Sequence, residues 1–324
     1  MRSPFFKIAA FFIAFLLSAS SFCYAKKIIL VTQIVEHPAL NAVRKGVYDI
    51  LKDKESRQDI DLQIIYENAQ GSIPLAVQIA QKFSSQDADA IVAISTPSAQ
   101  TLKAALRGKT PLVFAALTDP VAAKLLLNKD HPGNNITGVT DLPPFDKQMT
   151  FIKRIVPGLQ KLGVLYNPGE ANAVASVDFL KEALAPYKIE IVPAAVNRSA
   201  DVGQSTKRLL KDVDAIYIPN DNTVVSGLDA AVRICHERKM PLFAADIMLV
   251  ERGLVGMIGF DYYAIGRQTG NVVWRILKGE KAGDISIENP RELKLVLNPS
   301  AARKMGVQIE NSLLKEADTL IPAK

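Results

Sequence analysis

Cysteine is almost missing from this chain. Only Cys23 and Cys235 occur in 324 residues, and Cys23 falls in a segment expected to be removed. One remaining thiol excludes an internal disulfide framework, so the fold must be held by its core. Cys235 lies in the amphipathic stretch Leu228–Arg238, where a buried small hydrophobe is the simplest reading. Catalytic signatures are also missing: there is no G-x-S-x-G elbow, no G-x-G-x-x-G and no P-loop. His37, His131 and His236 have neither metal-ligand spacing nor cysteine partners, so no metal and no cofactor are expected. The net charge of +6 is spread among acids, without a basic run interleaved with aromatics, which argues against nucleic acid. Beyond the first residues no apolar run is long enough for a membrane span.

What is present begins at the start. Arg2 and Lys7 form a short basic head before an apolar run from Ile8 to Leu17, followed by small residues and by Cys23-Tyr24-Ala25. That order predicts a secretory signal peptide over residues 1–25, cleaved after Ala25 and delivering the chain to the periplasm. The run is shorter than the roughly 20 apolar residues of a spanning helix. Cys23 raises a lipoprotein alternative, against which stands the bulky Phe22. Loss of Arg2 and Lys7 leaves a charge of about +4, and the remaining length suggests two domains.

The rest alternates β-rich runs with helical spacing. Strands are expected at Lys27–Thr32, Leu62–Tyr66, Ala90–Ile94, Pro111–Leu117 and Ile136–Val139, with helices at Leu40–Leu51, Ile73–Phe83, Pro97–Leu106 and Pro120–Leu127. The second half repeats the first. Asp87-Ala-Asp-Ala-Ile91 returns as Asp212-Val-Asp-Ala-Ile216, and Pro111-Leu-Val-Phe-Ala115 as Pro241-Leu-Phe-Ala-Ala245. Leu162–Tyr166 with the helix Asn172–Leu184 echoes the opening unit, and Leu254–Met257 echoes Ile136–Val139. The expected fold is α/β, with two similar doubly wound parallel-sheet lobes. A further helix, Tyr262–Leu277, and a late strand, Glu292–Leu297, are left over. Returning the helix to the first lobe and the strand to the second gives residues 26–141 with 262–285 as lobe 1, and 142–261 with 286–324 as lobe 2. The chain then crosses three times, near Thr140–Pro143, Phe260–Tyr262 and Ser286–Arg291, making a multi-strand hinge with Pro143, Pro144 and Pro290 as stiff elements.

Parallel sheets bind ligands at the carboxyl ends of their strands. Those positions hold Thr32, Gln33, Ser95, Thr96, Ser98, Thr118 and Asp119 in the first half, and Glu170, Asn172, Asn220, Asp221, Asn222, Asp246 and Asp261 in the second. Any one of them is as readily a helix cap; their convergence on one face makes them a candidate ligand-binding set. A helix start at Ser95–Ser98 suits a carboxylate, and Asp221 and Asp246 suit an ammonium. No lysine or arginine stands at these ends, so a zwitterion such as an amino acid fits best and a sugar second. A pair such as Asp119 with Asp221 leaves a cleft hydrolase as a lesser alternative.

Thr32-Gln-Ile-Val-Glu-His-Pro-Ala-Leu40, Ser95-Thr-Pro-Ser-Ala-Gln100, Thr118-Asp-Pro120, Ile136-Thr-Gly-Val-Thr-Asp141, Asp221-Asn-Thr223 and Gly259-Phe-Asp-Tyr-Tyr263 resemble the ABC-transporter substrate-binding family, in its tryptophan/tyrosine-type branch. The resemblance runs through nearly all of the mature chain. It implies the type I periplasmic-binding-protein (Venus flytrap) fold and a small-molecule ligand, an amino acid with aromatic ones included. It also implies delivery by a monomer to an ABC permease with its ATPase, and no enzymatic activity. A sensor that presents its closed form to a membrane receptor is the alternative partner. Two departures stand out: Ala173 where the family tends to Ser after Asn, and Asn220 where Thr is more usual before Asp.

Overall fold

A computed structural model describes residues 26–58, 60–129 and 132–322. The expected signal peptide, with Cys23, and also His131 lie outside the described residues. The first sheet is wholly parallel, in the order β2-β1-β3-β4-β5: β1 is Lys27–Gln33, β2 Leu62–Asn68, β3 Ala90–Ile94, β4 Leu112–Leu117 and β5 Ile136–Thr140. Its strands are runs of Ile, Leu, Val and Ala with β3, β4 and β5 buried throughout, as expected where helices cover both faces. The connecting helices are α1 (Pro38–Gln58), α2 (Ile73–Ser84) and α3 (Thr96–Leu106).

No α-helix forms over Pro120–Leu127, contrary to expectation. The segment is a series of turns, with Lys124 in the left-handed region (φ 57°) and the amides of Leu125 and Leu126 both donating to the Pro120 carbonyl.

α4 (Phe145–Ile155) leads to the second parallel sheet, in the order β7-β6-β8-β9: β6 is Lys161–Tyr166, β7 Glu190–Ala195, β8 Ala215–Ile218 and β9 Leu242–Ala244. Around it run α5 (Ala171–Leu184), α6 (Val202–Leu209), α7 (Asn222–Ser226) and α8 (Leu228–Arg238). The counterpart of β5, β10 (Gly256–Phe260), does not extend this sheet. It pairs antiparallel with β11 (Leu293–Leu297), which pairs with β12 (Thr319–Leu320). The two lobes therefore share a plan but close differently at the fifth strand.

α9 spans Tyr262–Leu277. Its Ile265, Val272, Val273 and Trp274 pack in the core of the first sheet, whereas Leu295, Val296 and Leu297 of β11 pack in the core of the second. α9 lies against α1 with backbones in contact: a Cβ added to Gly266 would stand 2.1 Å from the Val43 carbonyl oxygen, and one on Gly46 2.3 Å from that of Tyr263. Only glycine allows that approach. Glu288 then runs beside β5, donating its amide to the Gly138 carbonyl and accepting from the Thr140 amide, before the chain enters β11. The last short helices are α10 (Pro299–Lys304) and α11 (Asn311–Glu316). Among the described residues no helix is long and apolar enough to cross a membrane.

Candidate functional site

The strand ends of both lobes face one small cavity, with a volume of about 30 Å³. From the first lobe it takes Ser95 and Thr96 after β3, and Ala116 and Thr118 at the end of β4. Ser95 has φ 83° and ψ 161°, a conformation costly for any residue but glycine. Ala116 also has a positive φ, 50°, where the register of β4 against β5 shifts. Strain at two neighbouring strand ends is spent where the chain meets the cleft. The hydroxyls of Ser95, Thr96 and Ser98 are buried at the start of α3 and have no hydrogen-bond partner among the described residues. The first amides of α3 have no intrahelical acceptor, which makes this corner suited to an anion.

The second lobe contributes Asn172, Asn220, Asp221, Asn222 and Asp246. Asp221 caps α7, accepting from the Val224 amide at 2.8 Å and from the Asn167 amide. Asp246 accepts from the Met248 amide at 2.7 Å. Behind Asp246, the buried Gln148 donates to the carbonyls of Ala245 and Ile258 and accepts from the Tyr217 hydroxyl at 2.6 Å, tying α4, β8 and β10 together.

Three polar cavity residues were not anticipated: His37, Asp141 and Tyr262. Asp141 leaves β5 and sits where the chain passes between lobes. Its carboxyl accepts from the hydroxyls of Thr118 and Tyr262, both at 3.1 Å, and its carbonyl accepts from the Asn220 side chain at 3.2 Å. It followed the same strand-end rule as the others, two residues beyond a strand expected to end at Val139. His37 precedes α1, and its Nδ1 is buried without a hydrogen-bond partner among the described residues.

Six expected residues lie off the cavity wall. Thr32 is buried in β1, and Gln33 turns away to the Val35 carbonyl and the Asn41 side chain. Ser98 lies one turn into α3. Asp119 caps its own turn through the amides of Val121 and Ala122 and pairs with Lys129 at 3.2 Å. Asp261 caps α9 and pairs with Lys294 at 2.6 Å. Burial works against its charge, but Lys294 and the capping amides hold its carboxyl below the ordinary range. Glu170 is satisfied within its own lobe.

The electrostatics of the wall are one-sided. Asp141, Asp221 and Asp246 line it, and no lysine or arginine does. Burial raises Asp141 to about 6. Burial and then the Glu170 charge raise Asp221 to about 8, and burial and then Asp141 raise Asp246 to about 7. Burial lowers His37 to about 4, leaving a neutral imidazole. Desolvated carboxylates without a protein cation favour a ligand that brings one. Opposite them stand the free hydroxyls and helix start of the first lobe. Among the described residues no group of three or more His, Cys, Asp or Glu is placed to hold a metal.

The sequence pattern of the family described as ABC transporter substrate binding protein matches residues 28–321. A protein of Clostridioides difficile named tyrosine-binding protein is 33% identical over 283 residues, 87% of this chain and 82% of its own. The solved ABC domain of Streptococcus pneumoniae in complex with L-Trp is 30% identical and superposes with a TM-score of 0.87, over 92% of this chain and 100% of that one. The ligand-free, open structure of a Clostridium difficile substrate binding protein with adhesive properties is 33% identical and has a TM-score of 0.70 over the same shares. Coverage is equal and identity favours the open structure. This chain superposes better on the ligand complex than on the ligand-free, open structure.

Proposed function

We propose, from the premise that this chain belongs to the ABC transporter substrate-binding protein family, that it binds a free amino acid between its lobes, aromatic ones included, and hands it to a membrane permease. The observation that carries the reading is the cavity wall: three buried carboxylates with no protein cation face a helix start carrying unpartnered hydroxyls. An α-ammonium complements the first and an α-carboxylate the second. The names of the C. difficile and S. pneumoniae relatives point to tyrosine and tryptophan. In this reading the chain does no chemistry, acts in the periplasm after cleavage of residues 1–25, and works as a monomer. Residues 26–141 with 262–285 form one lobe and 142–261 with 286–324 the other. The cleft set is Ser95, Thr96, Thr118, Asn172, Asn220, Asp221, Asn222 and Asp246, with His37, Asp141 and Tyr262 added.

The test is a thermal-shift and calorimetric screen of the chain from Lys26 onward against the twenty amino acids and common sugars. A ligand at a hundredfold excess over its Kd adds about 2.7 kcal/mol of stability. A shift with L-tyrosine, L-tryptophan or another amino acid supports the reading. Shifts with sugars alone would sink it.

A further inference from the structure

We propose that Glu170 is a positioning residue: it locks the Asn172 side chain so that its Oδ1 faces the cleft as a fixed acceptor for the ligand amine. The ligand-facing half of this rests on the amino-acid reading above. The lock itself does not.

Glu170 precedes α5 and is buried, but it makes no side-chain cap to its own helix. Its carboxylate crosses to α7 instead. Oε1 accepts from the Thr223 amide at 2.9 Å and the Thr223 hydroxyl at 2.7 Å. Oε2 accepts from the Asn222 amide at 3.1 Å, the Asn222 side chain at 2.7 Å and Asn172 Nδ2 at 3.1 Å. Five donors, all from its own lobe, occupy the two oxygens. Little capacity remains for a ligand, and Glu170 does not line the cavity.

The consequence falls on Asn172. Its Nδ2 also donates to the Asn220 carbonyl, at 2.8 Å. Both amide protons are thus given to acceptors. The flipped amide would set Oδ1 against Glu170 Oε2 and the Asn220 oxygen, lone pair against lone pair, and is excluded. Oδ1 must take the remaining direction. Asn172 is 5% exposed, its Oδ1 is buried without a partner among the described residues, and the residue lines the cavity. A buried acceptor left unpaired costs stability until a donor arrives. An ammonium has three donors, and this acceptor shares the cavity with Asp221 and Asp246. Glu170 therefore serves recognition at one remove, by deciding which end of an amide the ligand meets.

Two measurements test this. The first needs no ligand: side-chain amide NMR of Asn172 in the wild-type chain and in Glu170→Gln. The lock predicts slowly exchanging Nδ2 protons in the wild type and fast ones in the variant. Wild-type exchange as fast as that of a surface asparagine overturns the proposal. The second measures Kd for L-tyrosine and L-tryptophan in Glu170→Gln, Asn172→Ala and the double variant. A glutamine at 170 weakens the acceptor that holds Asn172 Nδ2, and an alanine at 172 removes the amide it holds. Each single change is expected to weaken binding at least about fivefold, and the double variant to stay within about twofold of Asn172→Ala, because without the amide the lock has nothing left to position, a non-additivity diagnostic of direct coupling. Losses that simply add would reduce Glu170 to a structural role and overturn the proposal. If the wild type binds neither amino acid, the reading of the ligand fails, and the exchange experiment alone decides the lock.

Discussion

The two edges of the cleft solve opposite problems. On the first-lobe edge, Ser95 and Thr96 have neutral hydroxyls with no partner, held on strained backbone. On the second-lobe edge, Asp221 and Asp246 already accept backbone amides as caps, but no protein cation stands beside them to favour their ionised form. One edge lacks hydrogen bonds and the other lacks charge. A zwitterion supplies both at once, and only when the lobes are together, which ties ligand capture to closure. A ligand with only one of the two groups would satisfy one edge and leave the other unpaired.

The largest expected effect breaks the frame from which the first edge hangs. Gly266→Ala places a methyl group into the Val43 carbonyl, so α1 and α9 must separate. Overpacking costs about 1–3 kcal/mol, and a backbone obstacle puts this change at or above the upper end. Denaturant unfolding should show it, and an unchanged midpoint would mean the helices are not in backbone contact.

Asp221→Asn follows. It keeps an oxygen for the α7 cap and removes the charge. A charge-assisted hydrogen bond is worth about 1.5–3 kcal/mol, so Kd for L-tyrosine or L-tryptophan should rise more than tenfold. An unchanged Kd, with the fold intact by circular dichroism, would remove Asp221 from the ligand's ammonium.

The acids also predict how pH separates stability from affinity. Asp221 at about 8, Asp246 at about 7 and Asp141 at about 6 hold protons in the ligand-free fold that they would release on unfolding. With more protons bound folded than unfolded, ligand-free stability falls as pH rises from 6.5 to 8. Below 6.5, neutral His37 opposes this, because it is depressed to about 4 and takes up a proton on unfolding. An ammonium ligand favours the ionised carboxylates, so affinity should rise over the same window, by at most about tenfold per pH unit for each proton released. Thermal melts at several pH values with and without L-tyrosine read both trends, and parallel slopes would refute the uncompensated cluster.

These expectations also mark where the sequence stopped being readable. Ala90–Ile94 and Tyr262–Leu277 were legible because their patterns are local: a continuous apolar run, and helical spacing after an aspartate cap. Pro120–Leu127 had the composition of a helix but not the backbone, since Lys124 turns left-handed. At the site, Asp119 and Asp261 looked like Asp221 and Asp246, being acids at strand ends before a turn or helix. What separates them is a lysine arriving from elsewhere, Lys129 for one and Lys294 for the other. Spacing cannot show such partners. Glu170 was chosen for its place, and its true neighbours, Asn222 and Thr223, come more than fifty residues later.

The smallest effect sharpens the comparison most, because it should change sign between two measurements. Thr96→Val keeps the shape and removes one hydroxyl. On the second edge, loss of a carboxylate leaves two backbone amides poorly matched and weakens the fold as well as binding. On the first edge the hydroxyl has no partner to abandon, so its removal should leave the free protein equally stable or slightly more so. If the hydroxyl meets the ligand carboxylate, a net hydrogen bond of about 0.5–1.5 kcal/mol is lost, and Kd rises by roughly twofold to tenfold. Weaker binding with an undiminished melting temperature places Thr96 on the ligand. A lower melting temperature with unchanged Kd would show that the hydroxyl serves the fold, and the first edge would then offer the ligand carboxylate only Ser95 and the helix start.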